Sequence, residues 1–276
     1  MLCLYNVIMK GSGGMNVFLL TDIEGIPGIF SIEELDRNSE NYLFAREKLT
    51  RTINLAVSFC KKCGANNIYY LDGHAGGGNV FEEKIDSRAT KITLDGWAQL
   101  MKEKKIDCVF EIGSHARAGT QGGFLDHTNS SAKVFEYRIN EKLHGELSSH
   151  GVFCGKFGVP LVLCLGDKAA CDQAKEYIPD IVTAPVKAAH KRNECEGYEN
   201  TDEILEKAVF EALSKYRDIK PISIPENITV QMTFYRTDMC EDALCHAKFP
   251  CERKDARTLI RTLSKNELVS FYQLVF

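Results

Sequence analysis

The sequence predicts a three-layer α/β domain with a largely parallel sheet over residues 15–185, followed by a smaller α+β domain over 186–276. Two observations carry this. Short apolar runs alternate with amphipathic stretches from residue 16 to 185, the pattern of strands joined by crossover helices. Beyond Pro185 the alternation gives way to longer helical stretches around one alternating segment.

The elements follow in order. Residues 1–14 read as an extension or linker, because a mildly apolar start runs into Gly11-Ser12-Gly13-Gly14. Asn16 to Thr21 is the first strand. Ala45, Leu49, Ile53, Ala56, Cys60 and Cys63 recur at steps of three and four, one face of a helix over about 40–63 that Gly64 ends. Ile68 to Leu71 is a strand, and Gly76-Gly77-Gly78 reads as a flexible loop, since it lacks the Lys-Ser/Thr of a phosphate loop. A short strand at Lys91–Leu94, a helix over 97–104 and a strand over 106–112 follow. Val134 to Ile139 alternates as a strand, and helices at 145–157 and 168–177 flank a strand at 160–165. Ile181 to Ala184 is the next strand. In the second part, helices are expected at 201–216, 238–247 and 266–276, with a strand at 228–234.

The bulk composition narrows the function. A net charge of −4 without a basic stripe excludes an ordinary nucleic-acid binder, and no apolar run is long enough for a membrane span. The 11 cysteines are odd in number, show no spaced framework and accompany no secretory signal, so free thiols in the cytoplasm are expected. The Cys60-Lys61-Lys62-Cys63 pair falls on the apolar helix face and reads as core rather than as a metal or redox motif.

The chemistry gathers at the strand ends. Asp22 and Glu24 follow the first strand, His74 the second and His115 a later one, which puts them on the rim where parallel α/β sheets build their sites. Glu146 opens a helix that can reach the same rim. Carboxylates mixed with imidazoles suit zinc, cobalt or manganese. Five such residues exceed the needs of one tetrahedral ion and suit two, with one carboxylate shared.

Motifs in this order resemble the zinc D-aminopeptidase family, a dinuclear type associated with dipeptide-transport operons. Thr21-Asp22-Ile23-Glu24-Gly25-Ile26-Pro27-Gly28 is similar to its opening motif, Leu71-Asp72-Gly73-His74 to its second and Gly113-Ser114-His115-Ala116-Arg117-Ala118-Gly119-Thr120 to its third. Asp126-His127-Thr128 resembles the segment with the catalytic histidine, and Gly145-Glu146-Leu147 the last ligand motif. The resemblance spans about 16–190. It implies that Asp22 bridges two zinc ions, Glu24 and His74 complete one, His115 and Glu146 the other, and His127 is catalytic. It further implies hydrolysis of the N-terminal residue of short peptides by water activated between the ions, in a homo-oligomer. Gly73, Ser114 and Asp126 depart from the pattern beside the ligands. Two other readings stand beside this one: another two-metal hydrolase acting on phosphoesters or amides, and a non-catalytic metal-binding or redox protein that uses the thiols.

Overall fold

A computed structural model describes residues 14–276. Apart from Gly14, the extension expected over 1–14 lies outside the described residues, as does Cys3. The chain forms β1 (Met15–Thr21), α1 (Glu40–Lys62), β2 (Ala65–Asp72), β3 (Ala89–Lys91), α2 (Leu94–Lys102), β4 (Cys108–Ser114), β5 (Val134–Ile139), β6 (Lys142–Leu143) and α3 (Glu146–Lys156). It continues through β7 (Leu161–Asp167), α4 (Lys168–Tyr177), β8 (Val182–Lys191), β9 (Glu194–Gly197), α5 (Thr201–Lys215), β10 (Asn227–Phe234), α6 (Thr237–Cys245), β11 (Glu252–Arg253) and β12 (Thr258–Ser264).

The main sheet has seven strands in the order β3-β2-β1-β4-β7-β8-β9. All its pairs are parallel except the edge pair β8–β9. Strands β4 and β7 are buried along their whole length, as a sheet covered on both faces requires. Helix α1 packs beside α5, and α3 beside α4. The CxxC cysteines lie in the α1 core face, Cys60 with no exposure and Cys63 with 2%. Gly64 ends that helix in the left-handed region (φ +84°), where an added Cβ would meet nothing.

Strand order reverses between β1 and β4: the chain builds β2 and β3 to one side of β1, then β4, β7 and β8 to the other. A reversal of this kind opens a crevice at the carboxyl ends of the two strands. Asp22 leaves β1 and His115 leaves β4, so both stand at this crevice.

A second, antiparallel sheet runs β11-β12-β10-β5-β6. Here the structure departs from the expected division. Residue 185 falls inside β8, which continues to Lys191 in the main sheet, and α5 packs on α1 and β8. The second sheet in turn takes β5 and β6 from the middle of the chain. The final stretch also differs: 266–276 is not a helix but a turn followed by one short 3-10 segment, Phe271–Leu274, and the preceding strand β12 was not anticipated. Arg261 explains both. It is 6% exposed, points inward from β12 and interrupts the apolar alternation a strand would show. Its guanidinium donates to the carbonyls of Gln273 and Val275, among others. That anchors the chain end as a wrapped segment, with Leu268, Phe271 and Leu274 buried beneath it.

Candidate metal centre

Glycines let the two strand exits meet. The Asp22 N–H donates to the Ile112 carbonyl (2.8 Å), and the Gly25 N–H to that of Gly113 (2.8 Å). An added Cβ on Gly113 would sit 2.0 Å from the Asp22 carbonyl oxygen, and one on Gly25 2.1 Å from that of Ser114.

His74 is placed by a turn that is pinned rather than loose. Asp72 accepts from the Asn79 backbone N–H and side-chain amide, both at 2.7 Å. The same amide donates to the His74 carbonyl (2.6 Å), and Arg37 donates to the carbonyls of Ala75 and Gly77. The glycine run read as a flexible loop is therefore a wound turn. Gly76, Gly77 and Gly78 take positive φ to follow it, and even Ala75 is held left-handed (φ 44°).

The other two histidines are oriented by backbone carbonyls. His115 Nδ1 lies 3.0 Å from the Ala116 carbonyl, and His127 Nδ1 lies 2.8 Å from that of Leu125. A carbonyl only accepts, so each Nδ1 carries the proton, and each Nε2 turns to the rim. The Ala116 carbonyl also accepts from the His127 N–H (3.1 Å), tying the two segments together. Glu146 is the first residue of α3, where the positive end of the helix favours a carboxylate, and its Oε1 accepts from the Asn129 N–H (2.8 Å).

These residues form two groups that share Asp22. His74 Nδ1 lies 3.0 Å from both Asp22 Oδ1 and Glu24 Oε2. His115 Nε2 lies 3.4 Å from both Asp22 Oδ2 and Glu146 Oε1. The two oxygens of one carboxylate thus face different histidines. His127 Nε2 sits 3.7 Å from Glu146 Oε1 and 4.0 Å from Glu24 Oε1, reaching toward both groups. Two sets of possible ligand atoms are compact enough for an ion: Asp22, Glu24 and His74, and His115, His127 and Glu146. All six residues singled out in the sequence are therefore brought together.

The field across the crevice favours a cation. Burial works against charge on Asp22, yet bonds to His115 and His74 hold its carboxyl well below the usual range. Burial likewise opposes charge on Glu146, but His115 draws it down to about 2. Burial lowers His74, and the facing Glu24 and Asp22 overcome this and push it up to about 11. His115 rises well above its ordinary value for the same reason, with Glu146 and Asp22 as partners. The donor atoms support a metal fit as well. Glu24 Oε2 and His115 Nε2 are buried, and although His74 lies 3.0 Å from the first and Asp22 and Glu146 lie 3.4 Å from the second, none of these contacts has hydrogen-bond geometry, so a cation would satisfy both atoms better.

The family model for D-aminopeptidase, peptidase family M55, matches residues 15–275. The chain belongs to this family. It is 28% identical over 226 residues to the D-aminopeptidase of Bacillus subtilis (strain 168), a match covering 80% of this chain and 81% of that one. It also matches the solved structure of the Zn-dependent D-aminopeptidase DppA from Bacillus subtilis, a self-compartmentalizing protease. There the TM-score is 0.85 at 24% identity, covering 94% of this chain and 95% of the other.

Sequence reasoning missed the supports of this M55 site. Asn79 is wholly buried under the His74 turn, and nothing local marks it. Buried Glu111 and part-buried His150 form a pair at 2.7 Å beside the crevice, and the Trp97 and His150 rings pack nearly at right angles. Glu111 did carry a signal, being the lone acid inside the apolar run Val109-Phe110-Glu111-Ile112.

Proposed function

We propose that this M55 peptidase is a zinc-dependent aminopeptidase that removes the N-terminal residue, D-residues included, from short peptides. The observation that carries this reading is the split of Asp22, with Oδ1 facing His74 and Oδ2 facing His115. A carboxylate so placed suits a bridge between two ions, with Glu24 and His74 completing one set and His115 and Glu146 the other. Each set then offers three protein ligands and leaves a position for water or substrate. Two zinc ions held there supply a water activated near neutral pH and an electrophile for the scissile carbonyl.

The chain's own residues supply orientation and proton transfer. Asp22, Glu24 and Glu146 supply the negative charge that would offset two divalent ions in the crevice. His127 fixes its own Nδ1 proton on the Leu125 carbonyl. Its Nε2, facing both sets, is placed to accept a proton and then, as imidazolium, to donate it to the developing oxyanion or to the departing amine.

Two further parts of the reading rest on coarser support. The likeness to a self-compartmentalizing protease supports a homo-oligomer. A cytoplasmic location agrees with the mostly buried, unbridged cysteines. Among the described residues no helix is long and apolar enough to cross a membrane.

The test is a panel of short peptides with D- or L-residues at the N-terminus, assayed with zinc-loaded protein beside a phosphate monoester. Release of free N-terminal amino acids is the expected outcome. Phosphate release without peptide cleavage would overturn the reading.

A further inference from the structure

The crevice has a buried cation that no ligand role uses. Lys187, in β8, is 0% exposed, and among the described residues no carboxylate lies within ion-pair distance of it. Its ammonium has three protons to place. Two go to backbone carbonyls of the loop after β1, at Glu24 (2.7 Å) and Ile29 (2.6 Å). The ammonium also lies 4.9 Å from the centre of the Phe124 ring, in the segment that carries His127.

We propose that Lys187 is a positioning residue for the metal centre: it ties the loop that bears Glu24 and the loop that bears His127 to one point beneath them. This deepens the proposed function and rests on Glu24 being a metal ligand.

The argument is one of charge and geometry. An ammonium without a carboxylate partner is costly to bury, and a methionine would fill similar space more cheaply. What only the ammonium supplies is a pair of directed bonds. Both end on the Glu24–Ile29 loop, one on the carbonyl of Glu24 itself, so the backbone that aims this carboxylate is held from behind. The Phe124 contact joins the second loop to the same atom. Phe124 is itself wholly buried, and the next residue, Leu125, donates its N–H to the Arg192 carbonyl on the turn between β8 and β9 (2.6 Å). One hairpin thereby fixes the spacing between Glu24 and His127, which meet at 4.0 Å.

The test is Lys187→Met in the full chain. The readouts are zinc affinity by chelator competition, the visible spectrum of the cobalt-substituted protein, and kcat and KM taken separately. Zinc affinity should fall about 10–100-fold, as for other residues that orient ligands. The cobalt spectrum should change, and kcat should fall more than KM moves. Wild-type affinity and an unchanged cobalt spectrum, with only a lower melting temperature, would show a structural role and overturn the proposal. Should the single variant not fold, Lys187→Met with Asp167→Asn decides by the same readouts. It also removes charge from Asp167, a buried carboxyl near enough to feel Lys187. Failure of both to fold would make Lys187 a folding residue and equally overturn the proposal. If wild-type protein binds no zinc, the proposed function fails first, whatever Lys187 does.

Discussion

The imidazole rings of His115 and His127 lie face to face, with centroids 3.9 Å apart and planes 7° from parallel. Both turn Nε2 toward Glu146 Oε1. They differ in the second neighbour: His115 faces the shared Asp22, whereas His127 faces Glu24 of the other set. A ligand and a proton donor stacked this way should separate on mutation. His127→Ala is expected to keep both zinc ions and lower kcat by about 10²–10⁴-fold, the usual worth of a positioned acid–base group. His115→Ala should lose zinc as well as turnover. Elemental analysis of both variants checks this, and loss of one ion from His127→Ala would make His127 a ligand.

Metal binding should depend on pH in a definite sense. Without metal, His74 is pushed up to about 11 by Glu24 and Asp22, so it holds a proton at neutral pH. Ligation must displace that proton. Asp22 and Glu146 are held well below neutrality and release none. Zinc affinity at the His74 set should therefore rise about tenfold per pH unit between roughly pH 6 and 8. Proton release in weak buffer on adding zinc measures the same quantity, and a flat affinity across this range would contradict it.

The site was more legible in the sequence than the frame around it. Asp22, Glu24, His74 and His115 each follow an apolar run, so strand-end reasoning alone placed them on one rim. That the rim closes into a pair of ion sets depends on contacts far apart in sequence, such as Asp22 to His74 and Glu24 to His127. Lys187 gave no local signal: a lysine in a strand reads as solvated, and its two acceptors lie more than 150 residues away. The chain end misled for a related reason. Leu268, Phe271 and Leu274 recur at helical spacing and are buried, but they do so in a turn and a short 3-10 segment that Arg261, distant in sequence, holds by donating to the carbonyls of Gln273 and Val275.

The thiols should be spectators. Burial pushes up Cys60 and Cys154, raises Cys63 to about 12 and Cys195 to about 11, and so disfavours their reactive thiolates. Cys245 is exposed. Mild alkylation of native protein should label Cys245, spare these four, and leave peptide hydrolysis unchanged. Mass spectrometry with parallel rate measurements checks both halves, and loss of activity with the fold intact would restore a thiol role.

Gly113 gives the sharpest test of how the sheet builds the centre. It is the last residue but one of β4, with φ at +90°, and a Cβ there would lie 2.0 Å from the Asp22 carbonyl oxygen. The obstacle is backbone, so Gly113→Ala must push the exits of β1 and β4 apart, and Asp22 moves with them. Backbone strain of this kind costs about 1–3 kcal/mol, which should lower the melting temperature by a few degrees without unfolding the protein. Zinc should be lost beyond what that strain explains, because the carboxylate shared by both ion sets is displaced. Gly64→Ala is the matched control. Its φ is +84°, so it carries similar strain, but its Cβ would meet nothing within 4 Å. It lies at the end of α1, away from every ligand. Both variants should melt earlier, and only Gly113→Ala should lose zinc occupancy in a chelator competition. Full occupancy in Gly113→Ala would mean that the Asp22 position tolerates separation of the two strand exits.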